Sequence, residues 1–210
     1  MEPTIYKPGA YNTPGIYKGA GGVYNGRGVY NEWAGSDITE IDIDGKIYQV
    51  VKIGYQLWIT ENLDLSTSNS RYYNNNQNYF NPLKGGRLYP SSDFPEIESK
   101  LSNGWKIPSY SDWDKLINFV GGVSVAGKKL KSTQYNGENF LGFNLVCAGN
   151  QNISNSSFWD GGNIGFYWTS TFWDAAGDFY YRAVLKNQDN ITENESMAGF
   201  RRSVRLCKNI

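Results

Sequence analysis

From Asp178 to Leu185 the chain alternates with a period of two. Phe179, Tyr181, Ala183 and Leu185 fall on one side of an extended segment, and Asp178, Tyr180, Arg182 and Val184 on the other. Helical spacing would scatter those residues around an axis, so the pattern constrains this stretch to a half-buried strand, with a core face and an outward face. Gly165 to Thr171 before it and Gly199 to Cys207 after it also read as strands. The loops between them carry Phe172, Trp173 and Asp174, and then Asn187, Asp189, Asn190, Asn194 and Glu195. Large aromatics bring contact area at low entropic cost, and small polar groups bring adaptable hydrogen bonds, which together compose a binding surface. The expected contact residues therefore include Phe166, Phe172, Trp173, Asp174, Asp178, Tyr180 and Arg182, with Arg182 exposed. Asn187, Asp189, Asn190 and Asn194 complete this stretch, and Trp159 joins it from another polar loop.

The function classes that composition excludes sharpen this reading. Twenty basic and twenty acidic residues cancel, with no basic run, so no phosphate-binding footprint exists and nucleic acid is not an expected partner. No apolar stretch approaches the roughly 20 residues that span a bilayer, so no membrane insertion is expected. Met1-Glu2-Pro3-Thr4 lacks the basic and apolar regions of a secretory signal, which suggests synthesis and retention in the cytoplasm unless a leader was removed. Histidine is absent, and with it the commonest general base and metal ligand. Cys147 and Cys207 either pair between neighbouring strands or remain two buried thiols. The second is favoured, because Cys147 sits in the apolar run Asn144-Leu145-Val146-Cys147-Ala148.

Along the chain, residues 1–36 repeat a unit of an apolar residue and Tyr between glycines, as in Gly15-Ile16-Tyr17-Lys18-Gly19 and Gly22-Val23-Tyr24-Asn25-Gly26. So Gly-rich a segment cannot bury a core of its own. It reads as an extended arm, either a flexible tail or an anchor that docks on neighbouring subunits, with a homotrimer as the expected assembly. Residues 37–210 form the second unit. There Asp44-Gly45 marks a two-residue hairpin turn between Asp42-Ile43 and Lys46-Ile47. Phe94, Ile97 and Leu101 share one helical face. Ser109-x-x-Asp112 resembles a capping box opening a second helix through Trp113, Leu116, Ile117 and Val120 to Gly121-Gly122. Two amphipathic helices beside short strands predict an α+β domain with a small antiparallel sheet.

A series of motifs then carries a resemblance. Asp44-Gly45, Tyr48, Val51, Ile53-Gly54, Gln56, Trp58 and Glu61-Asn62-Leu63 open it. Gly86-Arg87-Leu88-Tyr89, Gly104-Trp105, Ile107-Pro108-Ser109, Ala126-Gly127-Lys128, Leu130-Lys131-Ser132, Tyr167-Trp168-Thr169-Ser170-Thr171 and Ser203-Val204-Arg205 continue it in order. The chain resembles the Fibrobacter succinogenes major paralogous domain family from about residue 37 to the end. It departs from that pattern at Ile59, at Lys106 and in lacking a cysteine ahead of Gly104-Trp105. The resemblance implies a C-type-lectin-like fold, in which the first and last strands pair and long loops sit on a two-helix base. Some members of that fold resemble variable proteins diversified by a retroelement that mutates adenines in Asn codons. Phe166, Phe172, Asp174, Asp178, Tyr180, Arg182, Asn187, Asp189, Asn190 and Asn194 are all reachable from an Asn codon by such changes; Trp173 and Glu193 are not.

No catalytic, cofactor or metal site is assigned. Asp42 and Asp44 more readily solvate a hairpin than do acid–base work. The acidic loop Asn187 to Glu195 has oxygens suited to calcium, yet the calcium-dependent lectin motifs are missing. Trp58, Trp105, Trp113 and Trp168 read as core, and Arg205 as a buried partner of a carboxylate or of backbone carbonyls. The expected function is non-catalytic binding of a bacterial surface protein or glycan, with the protein at a phage tail-fibre tip and attached to other virion proteins through its N-terminal arm. A secreted or cell-surface adhesin and a glycan-modifying enzyme are the alternatives.

Overall fold

The computed structural model describes the backbone of residues 17–19, 22–24, 29–31, 39–173, 179–196 and 199–210, with side chains from residue 40 onward except 174–178 and 195–198. Three short strands, β1 (Tyr17–Gly19), β2 (Gly22–Tyr24) and β3 (Val29–Asn31), pair antiparallel as a meander. The rest of the Gly/Tyr segment, and with it the expected docking of an arm on other subunits, lies outside the described residues.

Asp44 and Gly45 both take positive φ, 55° and 82°, which two-residue hairpin turns demand. They reverse β4 (Thr39–Ile43) into β5 (Lys46–Ile53), and a second turn at Gly54 leads to β6 (Gln56–Ile59). A pair of two-residue strands, β7 (Arg71–Tyr72) and β8 (Arg87–Leu88), precedes the helices. These are α1 (Phe94–Ser99), α2 (Tyr110–Phe119) and α3 (Val123–Leu130). The capping box at α2 is complete: the Ser109 side chain accepts from the Asp112 amide, and the Asp112 carboxylate accepts from the Ser109 amide. Then come β9 (Asn150–Asn152), β10 (Phe158–Trp159), β11 (Ile164–Phe172), β12 (Phe179–Leu185), β13 (Ile191–Ser196), β14 (Phe200–Arg201) and β15 (Cys207–Asn209).

This architecture corrects the expected fold class. It is mostly β: beyond the meander, four small antiparallel sheets run β15-β6-β5-β4, β7-β8, β10-β9-β14 and β11-β12-β13. Among the described residues the α-helices are three, of 6, 10 and 8 residues, too short to form a layer of their own. The chain is therefore not the two-helix, C-type-lectin-like α+β domain that the sequence led us to expect. The last strand does return to the opening sheet, but it pairs with β6 and not with β4.

Two apolar clusters hold the sheets together. Trp58, Trp113, Leu116, Phe143, Tyr167, Val184 and Ile191 fill one, beneath α2 and α3. Tyr48, Ile59, Tyr89, Phe94, Trp168, Phe179 and Leu206 fill the other. The sheet β11-β12-β13 contributes Tyr167, Val184 and Ile191 to the first and Trp168 and Phe179 to the second, so both its faces are covered. Each fully buried large apolar side chain contributes roughly 2–3 kcal/mol. The buried indole N–H groups are satisfied: Trp168 donates to the Tyr89 carbonyl at 2.7 Å, Trp113 to the Trp168 carbonyl at 3.3 Å and Trp58 to Gln56 Oε1 at 3.3 Å. Arg205, fully buried, is a carbonyl partner, donating to the backbone oxygens of Ile59, Phe143 and Asn144 at 3.0, 2.7 and 2.6 Å.

Candidate functional site

The aromatic end of the β11-β12-β13 sheet is built by an irregularity in β11. Trp168 pairs with Tyr181, but the next partners are Phe172 and Phe179, so β11 carries extra residues there. Those residues turn away to the start of α2. Ser170 donates through its amide to the Pro108 carbonyl at 2.8 Å and through its hydroxyl to the Ile107 carbonyl at 3.1 Å, and Thr171 Oγ1 accepts from the Tyr110 amide at 2.9 Å. These bonds fix Tyr110 beside the middle strand, its ring 5.1 Å from that of Tyr180 and inclined at 62°. Trp173 meets Tyr180 edge to face at 5.2 Å and 85°, and Phe172 lies over Phe179 at 4.2 Å. Phe172 and Trp173 remain 63% and 44% exposed, although each is held against another ring.

Beneath these rings lies an ionic network. Register places Arg182 opposite Glu193 and Tyr181 opposite Asn194. The Arg182 guanidinium is buried, pairs with Glu193 at 2.9 Å and Asp114 at 2.5 Å, and lies 4.1 Å from the Tyr110 ring centre. The Tyr110 hydroxyl donates to Glu193, and that bond holds the phenol above its ordinary pKa. Tyr180, Tyr181, Glu193 and Asn194 line an open hollow of about 390 Å³ beside this network.

The structure separates the residues that the sequence grouped. Phe172, Trp173, Tyr180 and Asn194 come together at this end. Arg182 does not display; it is 1% exposed. The alternation predicts one core face and one free face, whereas α2 covers the second face through Asp114 and Tyr110. Phe166 is also buried, facing Tyr181 and the Arg202 guanidinium. Asn187, Asp189 and Asn190 belong to the other end of β12, roughly 20 Å away at 3.3 Å per residue. There Asn187 accepts from Asn136 at 3.0 Å and Asp189 pairs with Lys128 at 3.6 Å. That turn is fastened by the buried Lys131 ammonium, which donates to the carbonyls of Leu185, Lys186 and Gln188. Trp159, 45% exposed, stands on β10 in a different sheet, with Phe200 beside it at 6.1 Å. Asp174 and Asp178 lie outside the described residues.

Tyr110 and Asp114 escaped sequence reasoning. The capping box announced the helix that bears them, but nothing local says that this helix faces β12. Among the described residues no group of three or more His, Cys, Asp or Glu is placed to hold a metal ion. Cys147 and Cys207 are both free and buried, and burial pushes the Cys147 thiol up to about 12 and raises Cys207 as well.

Fold and site thus define a scaffold of small antiparallel sheets with an end at which exposed aromatic rings pack on other rings beside the Arg182–Asp114–Glu193 network. The chain belongs to the Fibrobacter succinogenes major domain family, whose profile matches residues 51–208. No curated protein and no solved structure matches it.

Proposed function

We propose that this is a non-catalytic receptor-binding protein that recognises a bacterial surface protein or glycan through the aromatic end of its β11-β12-β13 sheet. The observation that carries this reading is the exposure of Phe172 and Trp173, large rings kept in contact with water yet fixed against Phe179 and Tyr180. Preorganised aromatics lose little entropy on binding and dominate the energetics of many interfaces. The non-catalytic reading rests on how the acidic and thiol groups are engaged. Glu193 and Asp114 hold Arg182, Asp112 caps α2, and both thiols are buried.

The setting we propose is the tip of a phage tail fibre, with the Gly/Tyr segment as attachment and trimerisation arm. Diversification of this surface is part of the proposal for Phe172, Asp174, Asp178, Tyr180 and Asn194, and for Asn187, Asp189 and Asn190 at the far end. Phe166 and Arg182 are packed, and random substitution there would cost stability. Adsorption of the purified full chain to bacterial cells, compared with a Trp173→Ala/Tyr180→Ala variant, tests the surface. Unchanged adsorption by a folded variant defeats it, and tail and reverse-transcriptase genes beside this one are expected in the proposed setting.

A further inference from the structure

We infer that the hollow which the β7–β8 loop forms over Asn62 and Asp64 is a second binding site, apart from the aromatic end, and that it takes a single neutral sugar ring. The loop runs through residues 73–86 and, beyond a 3-10 turn at Tyr73–Asn75, has no secondary structure of its own. Loops longer than about 12 residues are uncommon in compact domains and usually functional. This one is fixed by packing. Tyr73 lies 4.8 Å from the Tyr79 ring, 5.5 Å from Phe80 and 5.2 Å from Phe158, and its hydroxyl accepts from the Gly161 amide at 3.1 Å. At its far end the Gly85 carbonyl accepts from Asn62 Nδ2 at 2.8 Å, and Gly86 holds a φ of 66° so close to the Leu63 carbonyl that a Cβ would collide with it.

The hollow measures about 180 Å³, with buried Asn62 and Gly85 at its floor and Tyr72, Phe80, Gln77, Asn78 and Asn81 among its walls. That is below the roughly 300–1,000 Å³ of sites for drug-sized ligands, so it suits one ring. Two features set the ligand class. The side-chain amides of Gln77, Asn78 and Asn81 are exposed and make no hydrogen bond to other described residues. Each presents an acceptor and donors in one plane, which matches neighbouring sugar hydroxyls, and Tyr72 and Phe80 add apolar ring surface for the carbon face of the sugar. The charges, by contrast, are engaged with one another. Lys84 pairs with the buried Glu61, Lys46 with Asp64 at 2.9 Å and Arg87 with Asp64 at 3.4 Å. Three cations face two carboxylates, but the Arg87 guanidinium also lies 4.1 Å from the Tyr72 ring centre, so the hollow selects for hydroxyls and not for an ionic ligand.

The full chain is titrated with glucose, galactose, mannose, rhamnose and N-acetylglucosamine and followed by saturation-transfer NMR. At least one is expected to bind with a dissociation constant on the order of 1 mM, as befits so small a ligand. Asn78→Trp, which fills the hollow, should abolish that binding, and Gln77→Ala/Asn78→Ala should weaken it about tenfold. Both changes lie on the exposed loop; melting curves establish folding, and either variant decides if the other unfolds. Trp173→Ala/Tyr180→Ala, at the aromatic end, should leave sugar binding intact whatever it does to adsorption to cells, so the two sites stand or fall separately. Saturable binding of none of these sugars overturns the inference, as does binding that the folded loop variants leave unchanged. Sugar binding lost in Trp173→Ala/Tyr180→Ala would move the sugar to the aromatic end and overturn it too. Glucuronate bound about tenfold more tightly than glucose would make the cations the selecting groups, against the neutral ligand inferred.

Discussion

Arg182 and Asp114 are joined by an ion pair of 2.5 Å that fastens the middle strand β12 to helix α2. The two partners are unequal: the guanidinium side chain is 2% exposed and the carboxylate 42%. Removal of Asp114 leaves Arg182 still paired with Glu193, whereas removal of Arg182 leaves a gap beneath Tyr110 and two carboxylates without a cation. Asp114→Asn should therefore lower stability by about 1 kcal/mol, and Arg182→Ala by roughly 3 kcal/mol. Urea unfolding of the two variants decides this; equal losses would mean that Arg182 is not the anchor of the strand.

Asp112 makes acid sensitivity local. Burial alone would raise its carboxyl, but Lys106, the hydroxyl and amide of Ser109, and Asn209 outweigh it and bring the group to about 2 from an ordinary 3.8. The folded value is the lower one, so the stabilisation is fully present above about pH 4 and is lost as pH falls through about 2. Its size is roughly 2 kcal/mol, at 1.36 kcal/mol per unit. Asp112→Asn cannot deprotonate, so its stability should be lower at neutral pH and should fall less steeply between about pH 4 and 2. An acid limb as steep as the parent's would place the titrating group elsewhere.

Much of the scaffold was legible because its signals are local. The Asp44-Gly45 turn, the Ser109–Asp112 capping box and the start of helix α1 each follow from a few adjacent residues, although α1 ends at Ser99 and leaves Leu101 outside it; Trp58, Trp113 and Trp168 pack inward as expected, while Trp105 is only half-buried against the second cluster. Helix α3 was missed because Val123-Ser124-Val125 and an internal Gly127 argue against helix, and tertiary contacts override that propensity. The aromatic end was legible only in part. Phe172 and Trp173 announce themselves, but Arg182 looked exposed because alternation shows one apolar face and cannot show that α2 covers the other. Arg182 and Asp114 are separated by 68 residues, a pairing no periodicity reveals.

Gly127 offers a test in which the usual sign reverses. In an exposed helix Gly→Ala stabilises by roughly 1 kcal/mol. A Cβ at Gly127, however, would lie 2.1 Å from the Asn190 backbone oxygen, where α3 packs on the turn before β13. Gly127→Ala should thus destabilise, by roughly 2 kcal/mol or more, and should loosen the turn that the Lys131 ammonium holds. Thermal unfolding measures the first effect, and amide exchange at Asp189 and Asn190 the second; a higher melting temperature would mean that the contact yields easily.

Scaffold and display should respond in opposite ways to loss of aromatic rings. Trp168 is 1% exposed, touches Phe94 and Phe179, and donates to the Tyr89 carbonyl, so Trp168→Ala leaves a cavity and removes one of the two donors to that oxygen, the other being the Arg202 amide at 3.0 Å. The expected loss is roughly 3–5 kcal/mol. Replacing Phe172, Trp173 and Tyr180 together with Ala removes the exposed rings but also the contacts of Phe172 with Phe179 and of Tyr180 with Tyr110. Exposed substitutions stay within about 0.5 kcal/mol each and ring pairs add roughly 0.5–1.5 kcal/mol each, so a total near 2 kcal/mol is expected. Adsorption to cells should move the other way, because loss of interface anchors often weakens binding by about 2 kcal/mol or more per residue. The triple variant should therefore fold and fail to adsorb, while Trp168→Ala, at temperatures where it remains folded, should still adsorb. Melting curves and adsorption measured side by side on the two proteins separate these roles. A triple variant that melts as low as Trp168→Ala would make those rings part of the core and move the search for the binding surface to the Asn187–Asn190 end of the sheet.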